Sequence, residues 1–125
     1  MKTLGLIGGM SWESTVGYYQ KINQMVNKRL GDWSSAELLL YSVNFNPILQ
    51  MQNQGRWKEI GKIMAKIGKS LQKGGAQAII ICSNTTHKVA PAVEKNIDVP
   101  LIHVVDATAR RIKEDGLNTI GLFGT

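Results

Sequence analysis

Cysteine, proline and aromatic residues are scarce in this chain of 125 residues, and each scarcity removes a class of protein. The single cysteine, Cys82, has no partner for an internal disulfide, which sets aside the stapled secreted scaffolds. Three prolines beside 43% apolar residues exclude a collagen-like or low-complexity chain and describe an ordinary globular core. No apolar run approaches the roughly 20 residues that a membrane helix needs, and the opening Met1-Lys2-Thr3-Leu4-Gly5-Leu6-Ile7-Gly8 is too short for a signal peptide. A chain of the reducing cytoplasm, with no membrane contact, is expected. Acidic side chains are also few: 9 against 15 basic ones, for a net charge of +6 and a pI near 9.6. That balance favours anionic partners, whether small carboxylates, phosphates or nucleic acid.

What the chain does have is an apolar run that stops abruptly. Ala78 to Cys82 has the length and isoleucine content of a strand buried on both faces, as at the centre of a parallel sheet. It ends on the small polar cluster Ser83-Asn84-Thr85-Thr86-His87. In open α/β sheets, ligands bind outside the carboxyl ends of the strands, where loops and helix N-termini leave N–H groups free. This cluster is therefore the first candidate for chemistry.

The rest of the chain alternates. Thr3 to Gly8 reads as a first strand, followed by a glycine turn, Gly8-Gly9-Met10-Ser11. Ser11 then suits the N-cap of a helix whose apolar positions Val16, Tyr19, Ile22, Val26 and Leu30 recur every three or four residues up to Gly31. Residues 36 to 43 give a second strand, broken by Asn44-Phe45-Asn46-Pro47 before a short helical stretch through Gln52. Trp57 opens a longer helix with an apolar stripe of Ile60, Ile63, Met64, Ile67 and Leu71. Lys58, Lys62, Lys66, Lys69 and Lys73 lie opposite that stripe. A nucleic-acid footprint would need interleaved aromatics or a base-reading motif, so this lysine row is read as a solvated face and no nucleic-acid partner is expected.

Pro91 is tolerated only in a helix's first turn, so the next helix begins near Ala90, with Asn84 to Lys88 as a wrapped loop or irregular first turn. Pro100 to Val104 reads as a fourth strand, Ala107 to Glu114 as a helix and Thr119 to Gly124 as a fifth strand. Strands alternating with helices imply right-handed parallel βαβ units in one α/β domain over residues 1–125. An open, flavodoxin-like sheet of order 2-1-3-4-5 with helices on both faces would bring Gly8 to Ser11 beside Ser83 to His87.

These stretches carry a family resemblance. Leu6-Ile7-Gly8-Gly9-Met10-Ser11-Trp12-Glu13-Ser14-Thr15, then Tyr18-Tyr19, Ile22-Asn23 and Asn84-Thr85-Thr86-His87-Lys88, resemble the aspartate/glutamate racemase family along the whole chain. The resemblance implies cofactor-independent racemisation of an acidic or related amino acid between two pseudo-symmetric α/β domains. The chain resembles the N-terminal one, and the C-terminal domain is expected to be absent. Two proton carriers on opposite faces of the α-carbon are implied, usually two cysteines, because a thiol's pKa can be tuned toward neutrality. At the position before Asn-Thr-x-His, where the family usually has its first cysteine, this chain has Ser83; family members with threonine there exist. Cys82 is one residue earlier, and strand alternation turns it away from Ser83, so it is read as a small core residue in preference to a displaced base.

By the same resemblance, Ser83, Asn84 and Thr85 should contact substrate, with Met10 and Gln52 lining the pocket. Asn84 and Thr85 could equally cap the next helix, Met10 could belong to the core, and Gln52 could be solvated. His87 could polarise or orient a neighbour but is read as structural in preference, and His103 and Asp106 are read as structural. No metal and no cofactor are expected. The chain alone is not expected to racemise, and a homodimer is expected from exposed apolar surface. The rival reading is a nucleotide- or phosphate-binding α/β module using Gly5-x-x-Gly8-Gly9, weakened by the absence of Gly-x-Gly-x-x-Gly and of an acid ending the second strand. A non-enzymatic binding module is the third.

Overall fold

A computed structural model describes residues 1–123 of the chain. Four parallel strands form one sheet: β1 (Leu4–Gly8), β2 (Leu38–Ser42), β3 (Ala78–Ile81) and β4 (Leu101–Ile102), in the order β2-β1-β3-β4. The helices are α1 (Trp12–Leu30), α2 (Phe45–Asn53), α3 (Trp57–Lys73), α4 (Ala90–Glu94) and α5 (Val104–Glu114), with a 3₁₀ helix at Thr85–Val89. This is the open α/β sheet of flavodoxin-like order, with the expected switch point between β1 and β3. Among the described residues no helix is long and apolar enough to cross a membrane.

The core lies on the α3 side. Ile60, Met64, Ile67 and Leu71 of α3 meet Ile7 of β1 and Ile79 and Ile81 of β3, and Val89, Ala90 and Val93 close the layer. The stripe expected from sequence is therefore the face that packs, and the lysines opposite it are exposed. The wrapped segment after β3 is the 3₁₀ helix, and α4 starts at Ala90 with Pro91 in its first turn.

Three expectations are corrected. The α1 stripe of Val16, Tyr19, Ile22, Val26 and Leu30 does not seat in a core: Val16, Tyr19 and Leu30 are exposed, Ile22 and Val26 are half-buried, and only Thr15 is buried. Periodicity identified the helix, but its apolar arc is wider than the strip that reaches the sheet. Secondly, β4 is two residues long and α5 starts three residues earlier than expected, because the His103 ring accepts a hydrogen bond from Val105 N–H at 3.2 Å and caps the helix there. Thirdly, the expected fifth strand over Thr119 to Gly124 is not formed at 119–123, and Gly124 lies outside the described residues. The short β4 offers it little edge to pair with, and Leu122 and Phe123 stand in solvent.

Candidate active site at the carboxyl ends of β1 and β3

Both central strands end at one cleft of about 290 Å³, lined by Met10, Ser11, Ser14, Tyr18, Cys82, Ser83 and Asn84. The two loops are tied directly. Ser14 Oγ lies 2.8 Å from the carbonyl oxygen of Cys82 and 2.9 Å from that of Ser11, so its one hydrogen serves acceptors on both. Beneath them, buried Thr15 accepts from Gly9 N–H at 2.9 Å and donates to the Ser11 carbonyl at 3.3 Å. At Gly9 φ is +93°, and an added Cβ would collide with the backbone of Val43, so glycine alone fits this turn.

On the β3 side, Thr86 is fully buried and donates to Ser83 Oγ at 3.0 Å, while also reaching Met10 Sδ at 3.6 Å. The His87 Nδ1 lies 2.8 Å from the Ser83 carbonyl, which can only accept, so Nδ1 carries the proton. Nε2 is then free to accept from Val104 N–H at 3.4 Å. The neutral ring thus links the Ser83 loop to the first turn of α5, and the His103 ring sits edge-on at 4.5 Å.

Burial holds His87 below the usual histidine range; its bond to the Ser83 carbonyl opposes the shift and His103 adds to it. The unfolded chain therefore binds this proton at higher pH than the folded one. The resulting stability is fully present above the unfolded pKa of about 6.5 and is lost as pH falls through that value toward the folded one. Unfolding free energy measured from about pH 7.5 down to about pH 5 is expected to fall, and to fall less steeply in His87→Gln. Equal slopes would remove His87 as the source.

The sequence-selected residues divide. Met10, Cys82, Ser83 and Asn84 meet at the cleft. Gln52 is half-buried on α2 and Thr85 is exposed in the 3₁₀ helix, and neither lines the cleft. Met10 is buried and belongs to the core as well as to the cleft wall. Cys82 has no exposed surface, and burial pushes its thiol up to about 12, so it stays protonated near neutrality. Ser14 and Tyr18 carried no role in the sequence reading; with Ser11 they fall at spacings of three and four, on one helix face. Burial, and then the neighbouring Cys82, push the Tyr18 hydroxyl above its usual range. At the N-terminus of α1, Glu13 is held below the usual carboxylate range by hydrogen bonds from Ser11 and its own backbone.

A larger groove of about 640 Å³ lies by the start of β1, between Leu4 and the Ile22, Met25, Val26, Lys28 and Arg29 positions of α1. It has an apolar wall and no nucleophile or acid. Nor do three or more histidine, cysteine or acidic side chains cluster anywhere among the described residues. The polar cleft is where the chain can orient a small polar ligand.

The comparisons agree on kinship. The model of the Asp/Glu/Hydantoin racemase family matches residues 7–125. A solved Yersinia pestis structure classed among the Asp/Glu racemases is 50% identical, with a TM-score of 0.96 over 100% of this chain and 54% of that one. An aspartate racemase homologue from Pyrococcus horikoshii OT3 is 34% identical, with a TM-score of 0.85 over 93% of this chain and 50% of that one. The aspartate racemase of Picrophilus torridus, at 22% identity and a TM-score of 0.76 over 93% of this chain and 49% of its own, shares the fold. The chain thus spans about half the length of the solved structures it matches. On the family match and these likenesses together, the chain belongs to the Asp/Glu/Hydantoin racemase family.

Proposed function

We propose that this chain supplies one half of the active site of a cofactor-independent racemase acting on aspartate, glutamate or a related amino acid. The observation that carries the reading is the cleft itself, where Ser83 and Asn84 at the end of β3 face Met10, Ser11 and Ser14 after β1. Hydroxyl and amide groups there can hold the substrate's carboxylate and amino groups while the α-carbon sits against Ser83. Ser83 takes the first proton-transfer position. A hydroxyl is a weak base, but the donation from Thr86 stabilises negative charge on Ser83 Oγ. The protonated, buried Cys82 serves packing.

The carrier for the opposite face of the α-carbon is assigned to the other half of a protein of the relatives' length, so the 125 residues alone are not expected to turn over. A cytoplasmic setting and a homodimer belong to the same reading. The phosphate-turn alternative is disfavoured because Gly9 N–H is already taken by Thr15 and Glu13 presents a carboxylate at the same helix end.

The test is α-proton exchange of L- and D-aspartate and glutamate in deuterated water, using a protein that carries both halves. Ser83→Ala is expected to lower exchange by on the order of 100-fold, Ser83→Cys to raise it, and Cys82→Ala to leave most of it. Exchange that survives Ser83→Ala, or that vanishes in a folded Cys82→Ala, would overturn the assignment. The 125-residue chain in the same assay should match the protein-free control.

A further inference from the structure

We propose that Ser14 positions Ser83 for proton transfer by standing in for a backbone rung at the open end of the sheet. The inference deepens the racemase reading and rests on Ser83 as the carrier. In a parallel ladder, a residue that donates its N–H to one partner carbonyl accepts, at its own C=O, from the N–H two positions further along that partner strand. The last rung present between β1 and β3 is Cys82 N–H to the Ile7 carbonyl at 2.9 Å, so the Cys82 carbonyl would next accept from Gly9 N–H. That rung is missing. Gly9 turns away at φ +93° and gives its N–H to Thr15 Oγ1 at 2.9 Å, while Ser14 Oγ lies 2.8 Å from the Cys82 carbonyl left without it. Two adjacent hydroxyls from the start of α1 have each taken one half of the same rung, and the cleft lies between the parted strand ends.

This swap bears on Ser83 because the peptide unit is planar. Holding the Cys82 carbonyl holds the Cys82–Ser83 peptide, and with it the Cα from which the Ser83 hydroxyl projects. Three bonds then fix Ser83. Thr86 donates to its Oγ at 3.0 Å and the His87 ring donates to its carbonyl at 2.8 Å, but both belong to the 3₁₀ helix that follows Ser83 and would move with it. Ser14 reaches from the opposite wall. Its second acceptor, the Ser11 carbonyl, also receives Thr15 Oγ1 at 3.3 Å, so the Ser14 hydrogen can go to Cys82 without leaving Ser11 unbonded. A committed hydrogen leaves Ser14 no donor for a substrate carboxylate, and its part in the reaction is therefore exerted through Ser83.

The test is α-proton exchange of aspartate and glutamate in deuterated water, with a protein that carries both halves. Ser14→Ala keeps a good helix former in the first turn and should fold. It is expected to lower the exchange kcat by on the order of tenfold with KM nearly unchanged, and Ser14→Thr to restore it. In a Ser83→Ala background, Ser14→Ala should cause no further loss of the residual exchange, since its effect passes through Ser83. Should Ser14→Ala not fold, Ser14→Thr against the isosteric Ser14→Val makes the same comparison. A raised KM with kcat kept would make Ser14 a substrate contact. That result, a wild-type kcat, a failed rescue by threonine or an additive loss with Ser83→Ala would each overturn the positioning role while leaving Ser83 as carrier. A fully active Ser83→Ala would instead remove Ser83 as carrier, and the positioning role with it.

Discussion

Gly9→Ala is expected to lower the unfolding free energy by about 2–5 kcal/mol, a large share of what a domain of this size possesses. Two costs add. A side chain in the left-handed backbone region costs roughly 1–2 kcal/mol, and Gly9 has φ +93°. The new Cβ would also meet backbone atoms of Val43, with the amide nitrogen at 2.6 Å, and forcing that contact open costs roughly another 1–3 kcal/mol. Gly55→Ala separates the two terms. Its φ is +69°, yet nothing lies within 4 Å of an added Cβ, so only the backbone term of about 1–2 kcal/mol applies. Chemical denaturation of both variants measures the difference; equal losses would mean that the β1 turn can yield without cost to Val43.

Ile79→Ala should cost about 2–5 kcal/mol, whereas Val105→Ala should stay within about 0.5 kcal/mol. Ile79 is fully buried in the central strand, and its Cδ1 lies 2.7 Å from where a Cβ on Gly5 would stand, so no neighbour can move in to fill the void. Val105 on α5 is 59% exposed and no residue of that helix is buried. The contrast measures how one-sided the packing is. Similar losses at the two positions would require α5 to be packed more tightly than its exposure allows.

The parts of the fold that could be read in the sequence were those written by a single local rule. A strand buried on both faces produces an unbroken apolar run, so Ala78 to Ile81 and the polar stop after it were legible, and so was the two-faced α3. Contacts made across the chain were not. Ser14 looks like any first-turn serine until its hydroxyl is found between the Ser11 and Cys82 carbonyls. Tyr18 gains its environment from Cys82, 64 positions away. The early start of α5 depends on a histidine ring acting as a cap, a role that residue type does not announce. The α1 stripe misled for another reason, since periodicity specifies a face without specifying what covers it.

That uneven covering of α1 sets the scale of its motion. Beyond Thr15 the helix contributes no buried side chain, so detaching its later turns from the sheet exposes little new apolar surface. Backbone amides there can trade hydrogen for deuterium through local openings, while those of β1, β3 and α3 must wait for the whole sheet to come apart. Since Ser11, Ser14 and Tyr18 lie at the start and in the first two turns, anchored by Thr15, the cleft wall is expected to exchange slowly, and faster exchange is expected in the turns behind it.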